Sequence, residues 1–540
     1  MTERNAALDA PTLAEAFQST AARRGDAPAL RTIGDEVLIS WSEYAERVET
    51  IAGGLAALGL EPGDTLAFMM INRPEFHLID TAGLHLGAVC FSIYNTSSPS
   101  QIQHLLEDAA PKIVVCEKQF LPLVEEARAL GGQVEHVVVI DDGGLEMLEN
   151  TAAPAGFDFE ARWRAVEAED VLMLIYTSGT TGPPKGVELT HANVMWEANA
   201  LVEAVPVPVD GRSISFLPAA HVADRLLNHD LQMIFGTTLT TCPEPPRFFE
   251  HAIEVRPTLF GAVPRIWEKL KAALEAGGVD AAAADDATAQ AIRQRIGVDK
   301  VEVFLVGAAA TPDAVLEFFG NLGIPICELW GMSETSAVAT INRPDAIRPG
   351  TVGTALPGVE LKLAEDGELM VRGPLVMRGY RNLPEKTRET FTDDGWLLTG
   401  DIAEISDDGY VKIVDRKKEL IINAAGKNMS PANIENKVKS ADPLVGSVMA
   451  IGDGRPFNVA LITLDPDMRA GRSVEDLTDQ VKAAVETANA DLSRVEQIKR
   501  FDILDEEWLP GGDELTPTMK LKRKPILAKY EETVERLYER

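Results

Sequence analysis

Apolar residues recur at helical spacing over positions 44–58, and the turn Pro62-Gly63-Asp64 then leads into a short apolar run at 65–71. Further runs at 112–115, 137–140 and 171–175, and later at 258–263, 301–306 and 325–329, are short, rich in β-branched residues and bounded by polar turns. Helical stretches alternating with buried strands predict a layered α/β architecture with mostly parallel sheets. Positions 272–291, rich in Ala and Asp, read as a solvent-facing helical excursion or a mobile insertion. Over 351–414 the texture changes to short strands with G-x-E and D-D-G turns, the mark of an antiparallel β unit, and the remainder reads as a compact α+β piece. The charged stretch Asp415-Arg416-Lys417-Lys418-Glu419 reads as the linker between them. The expected division is an N-terminal domain over 1–415, a hinge at 416–418 and a C-terminal domain over 419–540. No internal repeat is evident.

Composition narrows the function classes. A chain of 540 residues has room for about three or four packing units. Its 45% hydrophobic and 25% charged residues are those of a globular protein rather than a disordered or fibrous one. A formal charge of -33 repels polyphosphate backbones and argues against nucleic-acid binding, so an anionic ligand needs a local basic site. The 4 cysteines, Cys90, Cys116, Cys242 and Cys327, are too scattered for a metal clamp and too few for a disulfide scaffold. The start, M-T-E-R-N-A-A-L-D-A, is no signal peptide, and no run of about eighteen apolar residues occurs. The expectation is a cytoplasmic protein, with peripheral contact to a membrane left open.

The densest chemistry lies at 176–187, Y-T-S-G-T-T-G-P-P-K-G-V, after an apolar strand and before the capped helical start Thr190-His191-Ala192-Asn193. Glycines and hydroxyl residues so closely spaced let a chain turn its N–H groups around an oxyanion, and Lys185 adds a point charge. An ordinary strand-to-helix turn would not require that coincidence. A Walker loop is excluded, because Gly186 rather than Ser or Thr follows the lysine.

This segment resembles the phosphate-binding signature of the adenylate-forming superfamily, and the resemblance continues in order along the chain. It runs through F-L-P-A-A-H-V from Phe216, R-P-T-L-F-G-A-V-P-R from Arg256 and W-G-M-S-E-T-S from Trp330. T-G-D-I from Thr399, D-R-K-K-E-L from Asp415 and L-T-P-T-M-K-L-K-R from Leu515 complete it. V-P-R-I-W-E-K, A-G-K-N-M-S-P and L-T-P-T-M-K are most similar to bacterial long-chain fatty acyl-CoA synthetases. The resemblance implies a large layered α/β domain with a β subdomain and a small mobile α+β C-terminal domain. It also implies two half-reactions: a fatty carboxylate attacks the α-phosphate of ATP to give acyl-AMP and pyrophosphate, and the thiol of coenzyme A then displaces AMP.

The resemblance implies the following roles. Thr177, Ser178, Gly179, Thr180, Thr181 and Gly182, with Lys185, would hold the β- and γ-phosphates. Trp330 would stack on adenine within a site completed by Gly331 and Thr335, while Glu334 and Thr177 would ligate Mg²⁺. Taken alone, Trp330 reads as a core aromatic and Glu334 as a helix cap; the other motifs reverse that. Ser333 stands where relatives carry Thr, which keeps a hydroxyl. Asp401 would present a bare carboxylate to the ribose diol with Arg416 assisting, although by itself it is a turn-former. His221, Val263, Pro264, Gly307 and Ala308 would line the acyl pocket, His221 as a wall and not as an acid or base. Lys520 would bridge the carboxylate and α-phosphate, in a basic run with Lys522, Arg523, Lys524 and Lys529 fit for the phosphates of ATP or coenzyme A; Lys522 is the weaker candidate for its role. Because Lys520 must leave before the thiol enters, Lys418 would be the pivot and Gly426, Lys427 and Asn428 the loop that lines the thiol channel.

Two other readings compete. One is a ligase that stops at acyl-AMP or loads a carrier protein, and the 20 residues after Lys520 leave no room for a carrier module of its own. The other is a non-catalytic nucleotide-binding scaffold, which would not need Lys185, Glu334, Asp401, Arg416 and Lys520 together.

Overall fold

The computed structural model describes residues 5–177, 183–424, 427–509, 511–516 and 519–539. Three sheets with parallel strands form the body of the large lobe. The first has the order Gly379–Tyr380, Lys185–Thr190, Val171–Thr177, Val89–Ser92, Thr65–Met69, Ile113–Cys116, His136–Val139. Its pairs from Val171–Thr177 onward are parallel. These inner strands are apolar on both faces because helices such as Trp41–Ala57, Pro74–His85 and Pro99–Ala109 cover them. A second sheet has parallel strands Leu259–Ala262, Val303–Val306 and Ile326–Trp330, and the third sets Pro28–Arg31, Thr238–Thr241 and Arg212–Ser215 parallel.

The expected antiparallel unit is a sheet of Glu360–Leu363, Glu368–Arg372, Leu397–Ile405 and Val411–Arg416. Beyond it, Val445–Ile451, Asn458–Leu464 and Ile498–Leu504 form a small sheet packed by helices Pro431–Ala441 and Val474–Asp491, with its own apolar core. The Ala- and Asp-rich stretch is helical at both ends, in the last turns of Pro264–Ala276 and the first of Asp286–Arg295, with a turn-rich connection over 277–285 between them. No helix among the described residues is long and apolar enough to cross a membrane.

Between the apolar strand and the capped helix lies a further strand, Lys185–Thr190, antiparallel to Val171–Thr177 with Thr177 opposite Lys185. The helix His191–Ala204 follows, capped reciprocally by Thr190 and Asn193. The stretch 415–419 is part strand and part turn. Asp415 and Arg416 are the last residues of a strand paired with Asp401 and Ile402, and only the turn after them, closed by Glu419 N–H to the Arg416 carbonyl at 2.9 Å, joins the lobes.

One polar knot lies inside the large lobe. Asp80, on Pro74–His85, accepts from Arg225 at 2.5 Å and from His229 at 2.8 Å, and both partners sit on a π-helical turn, Arg225–Asp230. Burial alone would raise the Asp80 carboxyl, but Arg225 and His229 overcome it and hold it at about 2. Asp80→Asn is expected to cost about 3–5 kcal/mol, the penalty of stranding a buried guanidinium. Urea unfolding at neutral pH measures it. Because the folded value is depressed, the contribution is complete above the ordinary carboxylate range and fades as pH falls toward 2.

Candidate active site

The site lies where parallel strands end. Val263 follows Leu259–Ala262, Gly307 and Ala308 follow Val303–Val306, and Trp330 closes Ile326–Trp330, so all emerge at the carboxyl edge of one sheet. That edge is the usual place for ligands on open α/β sheets. Thr177 and the loop carrying His221 come from the corresponding ends of the other two sheets. Asn72, after Thr65–Met69, donates to the Leu217 carbonyl at 2.7 Å and so ties those two edges together.

The turn after Trp330 is tight. A Cβ on Gly331 would overlap the carbonyl oxygen of Ala337, and Ser336 and Ala337 both have positive φ, 53° and 95°. Thr335 is fully buried, and its hydroxyl accepts from Met332 N–H at 3.0 Å and lies 3.2 Å from the Met332 carbonyl. Its hydroxyl thereby builds the turn. The turn delivers Glu334 as a buried carboxylate whose Oε1 accepts from the Tyr380 hydroxyl at 2.7 Å. Lys185 Nζ lies 4.0 Å from the centre of the Tyr380 ring, and burial lowers its pKa while the Glu334 charge opposes that shift. Sequence reasoning missed Tyr380; only its G-Y dipeptide at the end of the antiparallel region marked it.

Asp401 is not bare. The Trp330 indole N–H donates to its Oδ2 at 2.8 Å and Arg416 Nε pairs with Oδ1 at 2.9 Å, in a setting only 3% exposed. Burial raises the Asp401 pKa, and Arg416, Trp330 and Lys520 oppose that in turn. Trp330 is itself buried, with its edge committed to Asp401, so its first task is to hold that carboxylate.

His221 caps a short helix: its Nδ1 accepts from the Ala223 N–H at 3.1 Å, which puts the proton of the neutral ring on Nε2. Burial first, and then the charge of Lys520, bring its pKa down to about 4. Ala308 adopts a φ of 69°, and a Cβ on Gly307 would press on the Leu329 side chain, so small residues are required there by packing. Pro264 opens the helix Pro264–Ala276, with Val263 as its cap.

Lys520 belongs to the small lobe but acts on the large one. Its pKa is lowered by the surrounding protein and by Arg416, against the raising charges of Asp401, Glu419 and Glu334, although its side chain keeps access to solvent. It therefore sits within electrostatic reach of Asp401, Arg416, Glu334 and His221 at once. Met519 beside it has a φ of 65°, a conformation that glycine adopts without cost. Three other members of the basic run have partners inside the small lobe, whereas Lys524 is exposed. Lys522 donates to the Gly512 carbonyl, Arg523 pairs with Glu419 and Glu435, and Lys529 pairs with Glu506 and Glu514. Lys522 is thus bound away from the large lobe.

Lys418 is exposed in the turn after the last strand, near enough for its charge to act on Lys185. Asp415 accepts from Ser430 Oγ at 2.5 Å and Ala432 N–H at 3.0 Å, capping the small lobe's first long helix. Lys427 and Asn428 are exposed on the hairpin Ile421–Ile422 with Asn428–Met429. Across the lobes, Arg265 pairs with Asp465 at 2.6 Å and Lys439 with Glu268 at 3.8 Å. Ser178, Gly179, Thr180, Thr181, Gly182 and Gly426 lie outside the described residues. The stems of the phosphate loop are described: Tyr176 donates to Asp108 and His104 to the Pro184 carbonyl, both from the helix Pro99–Ala109. Among the described residues no group of three or more His, Cys, Asp or Glu could hold a metal. The single buried carboxylate of Glu334 still fits Mg²⁺, which commonly takes one or two carboxylates and completes its shell from phosphate and water.

A large lobe of layered, mostly parallel sheets followed by a small α+β lobe is the architecture of the adenylate-forming fold. Residues 17–381 match the AMP-binding enzyme family and residues 418–540 the AMP-binding enzyme C-terminal domain, and the chain belongs to that family. It is 48% identical over 449 residues to a Mycobacterium tuberculosis protein provisionally named fatty-acid–CoA ligase FadD11, covering 73% of this chain and 79% of that one. It is 34% identical to the long-chain-fatty-acid–CoA ligase FadD15 of Mycobacterium bovis, over 93% of this chain and 92% of that one. In fold it is similar to the anthranilate CoA ligase AuaEII bound to anthranoyl-AMP, with a TM-score of 0.79, 21% identity and coverage of 97% and 98%.

The histidine carries a prediction with a definite sign. In ¹⁵N–¹H spectra His221 is expected as the Nε2–H tautomer, neutral throughout the range in which an exposed histidine titrates. Its folded pKa is depressed, so the stability it contributes is complete above the ordinary value of 6.5 and is lost as pH falls through about 4. A midpoint near 6.5 would contradict the assigned cap.

Proposed function

We propose that the chain activates a fatty acid with ATP to give acyl-AMP and pyrophosphate, then transfers the acyl group to coenzyme A. The observation that carries this reading is the buried Asp401 carboxylate held by Trp330 and Arg416, on the same edge as Glu334 and Lys185, which meet at Tyr380, with the charge of Lys520 acting on Asp401, Glu334 and His221. The names of the relatives at 48% and 34% identity support the fatty acyl class and the thiol acceptor.

In the first half-reaction Lys520 neutralises the approach of two anions, the carboxylate and the α-phosphate, and orients both. Lys185 and the hairpin tip hold the β- and γ-phosphates. Asp401, fixed by Trp330 and Arg416, accepts from the ribose hydroxyls. Glu334 and Thr177 would hold Mg²⁺, which when bound neutralises phosphate charge. Neutral His221 borders the carboxylate with Val263, Pro264, Gly307 and Ala308 lining the apolar path beyond it. In the second half-reaction the small lobe turns about Lys418, withdraws Lys520 and brings the loop of Gly426, Lys427 and Asn428 to the thiol's channel. The lobes so divided are 1–415 and 419–540, in a cytoplasmic enzyme that takes medium to long acyl chains.

Incubation with a fatty acid, ATP and Mg²⁺ is expected to release AMP and pyrophosphate, and added coenzyme A to give the thioester. Formation of ADP and phosphate without AMP would defeat the reading. A carrier protein that outcompetes coenzyme A would change the acceptor. Because one methylene shifts specificity by only about 1–3 kcal/mol, the chain-length profile should be broad, and a maximum on benzoate-type acids would overturn the fatty assignment.

The half-reactions separate by mutation. Lys520→Ala should slow adenylation about 100-fold, the scale of one lost transition-state donor, and spare thioester formation from supplied acyl-AMP. Lys418→Pro, which fixes φ at the pivot, should do the reverse. Equal loss of both steps in both folded variants would rule out the two-position mechanism.

A further inference from the structure

Glu334 and Lys185 reach the site from different sheets, one from the turn after Trp330 and the other from the start of the strand Lys185–Thr190. Tyr380 touches both. Its hydroxyl donates to Glu334 Oε1 at 2.7 Å, and the face of its ring lies 4.0 Å from Lys185 Nζ. The first contact is a hydrogen bond to a carboxylate and the second a cation–π contact, each stronger where water is excluded, and Tyr380 is buried.

The segment that carries this ring is fixed at several points. Tyr380 pairs with Val187 at the edge of the seven-stranded sheet, and its N–H donates to Thr387 Oγ1 at 2.9 Å. Met377 N–H donates to the Glu334 carbonyl at 2.9 Å, so the same segment also grips the backbone of the turn. Asn382 donates to the Asp108 carbonyl at 2.7 Å, and Asp108 accepts from Tyr176 on the stem of the phosphate hairpin at 2.7 Å. A ring so anchored is a fixed reference for two groups that must meet one triphosphate.

We propose that Tyr380 is a positioning residue that locks the Glu334 carboxylate in one rotation and seats the Lys185 ammonium beside it, so that metal and triphosphate are held in a single geometry. It deepens the adenylating reading above and rests on it. Tyr380→Phe keeps the ring under Lys185 and removes only the bond to Glu334, whereas Tyr380→Leu removes both contacts.

Binding of ATP followed by calorimetry with and without metal, and of Mn²⁺ to the protein–ATP complex followed by electron paramagnetic resonance, separates the two contacts. Tyr380→Phe is expected to weaken Mn²⁺ about tenfold and raise the Mg²⁺ needed for half-maximal AMP formation by the same factor, with metal-free ATP affinity kept within about twofold. Tyr380→Leu should weaken ATP with or without metal. Since the hydroxyl acts through Glu334, Tyr380→Phe added to Glu334→Gln should cost nothing more. Wild-type metal affinity in Tyr380→Phe, or additive losses in the double variant, would overturn the proposal. If Tyr380→Phe does not fold, 3-fluorotyrosine placed at position 380, which keeps the shape and strengthens the donor, must shift Mn²⁺ affinity, and no shift would overturn it. A wild-type protein that forms no AMP would instead fail the underlying reading, independently of these variants.

Discussion

The rest of the site depends on one buried carboxylate, Asp401, held between the Trp330 indole and the Arg416 guanidinium. Three segments meet there: the last residue of a parallel strand, the middle of the antiparallel sheet and the last strand residue before the small lobe. An ionised carboxylate at 3% exposure would be costly alone, and the two donors make it tolerable. The same bonds therefore orient the second sheet against the antiparallel one and fix where the chain departs for the small lobe. Because Lys520 and Asp401 act on one another's titration, the small lobe's position enters the electrostatics of the large lobe directly.

That arrangement resolves an apparent conflict between a protein of charge -33 and a polyanionic substrate. The basic stretch near the end of the chain promised a positive surface, yet its members mostly neutralise neighbouring acids or bind carbonyls within the small lobe. Positive charge at the site is assembled from three separate places, Lys185 on the hairpin, Arg416 at the strand end and Lys520 across the cleft. A local trio surrounded by acid attracts one well-shaped anion while the outer field discourages nucleic acid and other extended polyanions.

The strands and the order of layers were legible because buried parallel strands leave short apolar runs that local reading detects. The strand Lys185–Thr190 was not, since K-G-V-E-L-T begins with a lysine and a glycine and resembles the loop before it. Motifs named Trp330, Asp401, Arg416, Glu334 and Lys520 but not the bonds among them. The indole of Trp330 was read as a stacking surface although its edge is committed to Asp401, 71 positions away. Tyr380 and the Asp80–Arg225 pair escaped for the same reason: their partners lie 46 and 145 positions away, and side-chain bonds at such separations impose no periodicity on the chain. Thr335 shows the converse, a motif residue whose hydroxyl serves the motif's own backbone.

The ion pairs between the lobes are of a weak kind. Arg265 and Asp465 are partly solvent-accessible, as are Lys439 and Glu268, and ion pairs in such settings contribute about 0–1 kcal/mol each. Gly511 of the small lobe abuts Thr96 so closely that a Cβ could not fit, and its φ of 77° excludes most other residues as well. Thr96 lies just before the helix Pro99–Ala109, whose His104 and Asp108 brace both stems of the phosphate hairpin. The small lobe thus touches the large one directly before the helix that braces both stems of the phosphate segment. The bonds of Asp401 and Asp80 anchor the large lobe, while the contacts that cross to the small lobe range from partly exposed ion pairs to the buried bond between Asp415 and Ser430, which fixes the junction itself.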